Sequence, residues 1–344
     1  MKASIPGVER NGRSRVREQG SAVAWVESPL QLLCAVEARY AGVAGPEMRV
    51  VTRAKLPALK VTRRELAALD LPPGLRIETA EGGRMPRPGR GTAWVLGDAF
   101  SGRMQLTSLT AAPARMVLVD DGLATIRLLE LLTSRPGTAL LRARARSTPS
   151  RRVLGTAAAI RLRAAARAGR LTVFTALPVP ADLAAAVRGL GAELVTHDFA
   201  WLRSQPAVRH PRPAENTVVL GTSLVRNGLI HRDRYLSWLF ALKGPLAYFP
   251  HRREDPGDLA AVRDHPGVTV YDGGVPVEMT LRDLRPGQRV LSLPSTAVTS
   301  LRVLLSARGV PVETVDVPDD WWTPSASISL RSHLQMFAHE RASP

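Results

Sequence analysis

Short apolar runs, each closed by a polar loop and followed by a helical stretch, recur from Ser21 to Val317. The runs are 21–26, 49–52, 75–79, 93–96, 115–119, 171–176 and 192–196, then 216–220, 246–249, 268–271, 289–293 and 311–317. Between them lie helix-forming stretches: Pro29 to about Tyr40, 63–69, a stretch ending near Leu109, 124–132, 153–168 and 181–190, then 234–242, 259–263, 275–284 and 297–307. Strands that alternate with helices in this way predict an α/β fold with parallel, doubly wound sheets. In such a sheet, ligands bind outside the carboxyl ends of the strands, so the loops at those ends are where chemistry is to be sought.

The alternation breaks once. Gln205-Pro-Ala-Val-Arg-His-Pro-Arg-Pro-Ala-Glu215 holds three prolines in eleven residues and reads as a linker. A chain of 344 residues exceeds what one core usually serves. The expected organisation is a disordered basic arm over 1–20, a first Rossmann-like lobe over 21–204, the linker 205–215, a second Rossmann-like lobe over 216–326, and a C-terminal helix within 327–344 that packs back on the first lobe. Two such lobes facing a central cleft describe the two-lobed architecture called GT-B.

Composition narrows the function. The formal net charge is +17, and a field of that sign gathers anionic partners. Aromatic residues make up 5%, thin for stacking bases, and no helix-turn-helix, zinc-finger or RNP-type signature is present, so no specific nucleic-acid partner is expected. Cys34 is the one cysteine, which excludes an internal disulfide framework. No apolar run approaches the roughly 20 residues of a spanning helix, and the first twenty residues lack the apolar segment of a signal peptide. A cytoplasmic address follows as an expectation. Between 135 and 170 the chain has ten arginines and no acidic residue. One reading is peripheral docking at an anionic membrane, at the inner face, or at an acidic acceptor; the other is a solvated helix on an arginine-rich chain.

Candidate chemistry lies at the strand ends. Ser28-Pro29-Leu30-Gln31 follows the first strand, with Ser28 a good helix cap and Pro29 at the first helical position. Asp120-Asp121-Gly122 ends the strand 115–119. Adjacent carboxylates repel, so one can have a raised pKa suited to taking a proton. Strand alternation lets only one face a cleft, leaving the other to brace the loop; an Asp-Gly turn with a helix cap is the structural alternative. The spacing is Asp-Asp and not Asp-x-Asp, so no metal is expected. In the second half, Gly221-Thr222-Ser223 closes one strand and Pro250-His251-Arg252-Arg253-Glu254 the next. An imidazole beside two guanidiniums suits a phosphate-bearing ligand. His210 and His265 compete with His251, but one falls in the linker and the other in a turn. Ser295-Thr296 precedes a helix, where hydroxyls and free N–H groups can hold phosphate. Glu278, just inside another helix, could accept from a ribose diol or simply favour the helix start.

Together these stretches resemble the bacterial sialyltransferases of glycosyltransferase family 52 and the related bacterial polysialyltransferases. Ser28-Pro29-Leu30-Gln31 matches the family's Ser-Pro-Leu-Gln, Asp120-Asp121-Gly122 its acidic pair with glycine, Pro250-His251-Arg252-Arg253-Glu254 a form of its His-Pro motif, and Ser295-Thr296 its paired hydroxyls. Arg252 stands where the family usually has proline, and 224–228 lacks an acidic residue often found there. The resemblance implies CMP-sialic acid as donor, a glycan hydroxyl as acceptor, inversion at the anomeric carbon, and no cofactor. Asp120, ahead of Asp121, would take the acceptor's proton. His251 would meet the departing phosphate; Ser295 and Thr296 would hold its oxygens and Glu278 the ribose. Gly221, Thr222, Ser223, Pro250, Arg252 and Arg253 would complete the donor site, and Ser28, Pro29 and Gln31 would line the cleft from the first lobe. The alternatives are transfer from CMP-Kdo or a UDP- or GDP-hexose, or a non-catalytic basic protein binding membrane or nucleic acid.

Overall fold

The computed structural model describes residues 20–80, 84–142, 148–206, 212–271, 275–328, 330–332 and 334. Residues 1–19 of the expected arm over 1–20, His210 and most of the C-terminal tail lie outside them. Seven parallel strands form the first sheet: β1 (Ala22–Val26), β2 (Met48–Thr52), β3 (Leu75–Thr79), β4 (Ala93–Leu96), β5 (Arg115–Val119), β6 (Leu171–Thr175) and β7 (Glu193–Thr196), in the order β3-β2-β1-β4-β5-β6-β7. Five form the second: β8 (Thr217–Leu220), β9 (Leu246–Phe249), β10 (Val268–Val270), β11 (Arg289–Ser292) and β12 (Val312–Thr314), in the order β10-β9-β8-β11-β12. Each order reverses once, between β1 and β4 and between β8 and β11. Those reversals are the crevices where doubly wound sheets take ligands. The α/β, two-lobed, parallel-sheet fold is as the alternation of elements predicts.

The central strands are short and apolar because both faces are covered. In β1, Ala22, Ala24 and Val26 pack into one core, and Val23 and Trp25 into the opposite one. The first of these cores does not stop at the lobe boundary. It runs through Phe199 and Trp201 to Val218, Phe249, Met279 and Val298, so one apolar cluster joins the inner faces of both sheets.

Helices follow their caps. Ser28 caps α1 (Pro29–Tyr40), its Oγ accepting from the Gln31 N–H at 3.3 Å. The helix expected at 63–69 instead runs as α2 (Pro57–Leu66), because Pro57 supplies the first-turn position. α3 (Gly102–Thr110) and α4 (Leu123–Thr133) follow β4 and β5. Thr148 caps α5 (Pro149–Arg167), which begins four residues before the expected 153. α6 (Ala181–Gly189) and the short α7 (Ala200–Ser204) complete the first lobe; α7 was not anticipated. The second lobe adds α8 (Arg232–Ala241), α9 (Pro256–Arg263), α10 (Val277–Leu281) and α11 (Thr296–Leu305). The final helix expected over 327–340 is described only at 328, 330–332 and 334. There it departs from expectation: Leu330 and Leu334 join the second lobe's own outer core with Trp321 and Trp322, and the Arg331 guanidinium lies 5.6 Å from the Trp322 ring centroid. Among the described residues, no helix is long and apolar enough to cross a membrane.

Candidate active site

The two crevices open onto one cleft of about 320 Å³. Ser28, Pro29, Asp121 and Gly122 line it from the first lobe; Gly221, Pro250, His251, Arg252, Glu278, Ser295 and Thr296 line it from the second. Ten of the predicted site residues are therefore brought together. The lobes meet closely here. Gly122 has φ +70°, and a Cβ placed on it would lie 2.5 Å from Thr296 Cγ2. A residue with a side chain would be strained by the backbone and blocked by the other lobe.

The acidic pair divides as strand alternation requires, but not in the order first chosen. Asp120 is 2% exposed and turned inward, its Oδ1 accepting from Thr175 Oγ1 at 2.5 Å and its Oδ2 from the Ala176 N–H at 2.6 Å. Both its oxygens are committed to β6 and the turn after it, so it braces the β5 loop and is not among the residues that line the cleft. Asp121 is the carboxylate on the cleft. Gln31 Nε2 donates to its Oδ1 at 2.6 Å, and Arg142 donates to its Oδ2 at 2.9 Å. Burial, followed by the charge of Asp98, pushes its pKa up to about 6, while Arg142 and Gln31 pull against that rise. A carboxyl poised there ionises near neutrality and can take a proton.

Gln31 acts behind this carboxylate and does not line the cleft. Its Oε1 accepts from the Glu27 N–H at 2.7 Å, and its side chain lies against Gly97, where a Cβ would collide with it. The amide is thus locked with its nitrogen toward Asp121. Arg142 joins Asp121 to Asp98, donating to Asp98 Oδ2 at 2.8 Å. Neither Asp98 nor Arg142 was singled out from sequence. Asp98 was legible as the polar loop ending β4, beside the reversal in strand order; Arg142 was hidden among the arginines of 135–170.

On the other side, His251 Nδ1 accepts from the Arg253 N–H at 3.1 Å. The neutral ring therefore carries its proton on Nε2. Burial, then the charges of Arg252 and Arg253, lower its pKa to about 4. The ring is neutral at pH 7 and can donate one hydrogen bond from Nε2. The loop is held by Glu254, whose Oε2 accepts from the His251 N–H at 2.9 Å and whose Oε1 accepts from Tyr248. Tyr248 in turn lies 3.0 Å from the buried hydroxyl of Tyr235. Gly221 gives this clamp room: a Cβ there would sit 2.7 Å from the His251 nitrogen and 2.8 Å from the Tyr248 hydroxyl.

Ser295 occupies the cap of α11 in extended conformation, yet its side chain makes no cap bond. The first N–H groups of that helix and two hydroxyls border the cleft, a fit for phosphate oxygens. Glu278 lines the cleft too, but is 4% exposed and accepts from Ser300; burial raises its pKa. Besides Asp120 and Gln31, three more predicted residues fall outside the lining. Thr222 is buried with its Oγ1 accepting from the Leu224 N–H at 3.1 Å, a turn that closes the strand. Ser223 and the exposed Arg253 follow in their loops without reaching the cleft wall. His265 stacks on Phe240 with centroids 4.4 Å apart, a packing role away from the cleft.

No family model matches the chain, and no curated protein is similar to it in sequence. Among solved structures it is similar to Phytolacca americana UGT2 complexed with UDP-2fluoro-glucose and pterostilbene, with 11% identity over 92% of this chain and 83% of that one and a TM-score of 0.45. It is also similar to a UDP-glucosyltransferase from Polygonum tinctorium capable of glucosylating indoxyl, with 11% identity over 94% of each chain and a TM-score of 0.44.

Proposed function

We propose that this chain is an inverting glycosyltransferase that moves a sialyl group from CMP-sialic acid to a glycan hydroxyl. The observation that carries the reading is the shared cleft: a carboxylate of the first lobe, near neutral in pKa, opposes a histidine, an arginine and an open helix N-terminus of the second. Asp121 takes the proton of the acceptor hydroxyl as its oxygen bonds to the anomeric carbon, a role worth roughly 10²–10⁴ in rate. The bond from that carbon to the phosphate oxygen breaks on the opposite face, and CMP leaves with the electron pair. His251 Nε2–H, the N-terminus of α11 with Ser295 and Thr296, and the Arg252 guanidinium meet the charge that develops on the phosphate. The donor carries one phosphate and one carboxylate, a charge these groups can match. Glu278, at the second-lobe wall, would accept from the ribose hydroxyls.

The test is incubation of the chain with CMP-sialic acid, with and without a panel of glycans, following CMP. Glycan-dependent CMP release supports the reading. A parallel thermal-shift series with CMP, UDP and GDP separates the donor classes, and stabilisation by UDP or GDP alone would move the donor to a diphosphate hexose.

A further inference from the structure

Six large apolar side chains stand exposed among the described residues, and four of them lie on two neighbouring helices: Leu106 at 60% and Leu109 at 42% on α3, Val153 at 71% and Ile160 at 58% on α5. The two helices run side by side in the same direction. Arg151, near the start of α5, donates to the Phe100 carbonyl just before α3; Arg161, ten residues on, donates to the Ala111 carbonyl just after it. On α3, Arg103, Leu106 and Leu109 fall at threefold spacing on the exposed stripe; on α5, Val153, Ile160, Ala164 and Arg167 share one outward stripe. The opposite sides, with Met104, Ala158, Ala159 and Leu162, are buried in the first lobe's core. These two helices hold six arginines and no carboxylate. One of the six, Arg163, is buried and spends its donors on the carbonyls of Leu131 and Leu132, while Arg152 and Arg167 are exposed.

Protruding aliphatic side chains interleaved with arginines suit an interface that is oily below and negative above. We propose that the outward face of α3 and α5 is a docking surface for an anionic lipid bilayer, with Leu106, Leu109, Val153 and Ile160 entering the headgroup region and Arg152 and Arg167 meeting lipid phosphates. Charge selects this occupant. A second copy of the same face would set arginine against arginine, and the segment 1–19 is itself basic. The inference does not rest on the catalytic reading. It does place the membrane beside the acceptor half, because Phe100, held by Arg151, donates its N–H to Asp98 Oδ1 at 2.8 Å, and Asp98 is tied through Arg142 to Asp121.

The experiment is co-sedimentation of the full chain with vesicles of phosphatidylcholine alone and of phosphatidylcholine with an equal share of phosphatidylglycerol. Binding is expected to the anionic vesicles only, and to fall as salt is raised. Replacing Arg152 and Arg167 by Gln should weaken it about 25-fold, at about fivefold for each arginine near the surface. Leu106→Gln with Ile160→Gln should weaken it at least about tenfold, from lost apolar insertion. Each variant should keep the wild-type melting temperature and its response to CMP, since neither pair touches the cleft. Equal binding to both vesicle types, or binding by both variants as tight as wild type, overturns the proposal; the latter result would assign attachment to segment 1–19. A concentration-dependent dimer abolished by Leu106→Gln with Ile160→Gln would also overturn it, making the face a contact between copies.

Discussion

Arg142 offers the sharpest perturbation, because it holds Asp121 and Asp98 with a single guanidinium. It donates to one Oδ2 at 2.9 Å and to the other at 2.8 Å, and its side chain is 49% exposed. Replacing it by Gln removes the positive charge and leaves the two carboxylates to repel each other. A hydrogen bond to a charged group is worth about 1.5–3 kcal/mol. Half-exposure screens such a pair, so about 1–1.5 kcal/mol is the appropriate figure. At about 1.4 kcal/mol per unit, the pKa of Asp121 should rise by about one unit. The sign follows from the role: a base must be ionised, Arg142 favours the ionised form, and its loss moves ionisation to higher pH. The acid limb of kcat/KM, expected near pH 6 in the wild type, should move to about pH 7 in Arg142→Gln, with the plateau at higher pH less affected. The assay is CMP release across pH 5–9 at low donor concentration. An unmoved limb in a variant of unchanged melting temperature would refute both the base assignment and the coupling to Arg142. A limb moved downward would mean that the titrating group is a different one.

Four further outcomes follow from the site. Asp121→Asn should keep stabilisation by CMP while turnover drops roughly 10²–10⁴-fold; Asp120→Asn should act on stability instead. Burial raises the pKa of Asp120 from 3.8 to about 6, so the folded state binds its proton more tightly and stability is lost as pH rises from about 4 to 6, by about 3 kcal/mol; urea melts of Asp120→Asn should show that much less loss across the same window. His251→Ala should weaken CMP binding about tenfold to a hundredfold by calorimetry, as the loss of a bond to a charged phosphate implies; unchanged affinity would remove His251 from the donor site. Gly221→Ala should force the His251 backbone and the Tyr248 hydroxyl apart, at a cost of about 1–3 kcal/mol in stability and with loss of CMP binding; a wild-type melt would show that the loop can yield.

Much of the fold could be read from the chain because its central strands are buried on both faces and so appear as apolar runs, as in Ala93–Leu96 and Thr217–Leu220. Caps located α1 and α11 within a residue or two. The start of α2 was missed because its residues are half polar and only Pro57 announces it; α7 was missed because five residues carry no periodicity and Phe199 before it adopts φ 59°, a left-handed conformation with no local signal. The site was legible wherever a polar cluster ends a strand. What could not be read was the choice between Asp120 and Asp121. Alternation says that one is inward, but Thr175 and the Ala176 N–H, more than fifty residues away, decide which. Arg142 escaped for the same reason: its partners are contacts of the folded chain, and in sequence it is one arginine among many.

The apolar cluster that passes without interruption from Ala24 through Trp201 to Phe249 and Val298 ties the two halves into a single cooperative unit. Heat should therefore melt the chain in one transition and not two, and cutting it at the proline-rich segment should yield fragments that aggregate, each with half of a shared interior exposed to water. Rigid halves joined this way have little freedom to swing apart. Traffic of nucleotide in and out would then depend on the loops at the rim, with the lobes themselves close to stationary.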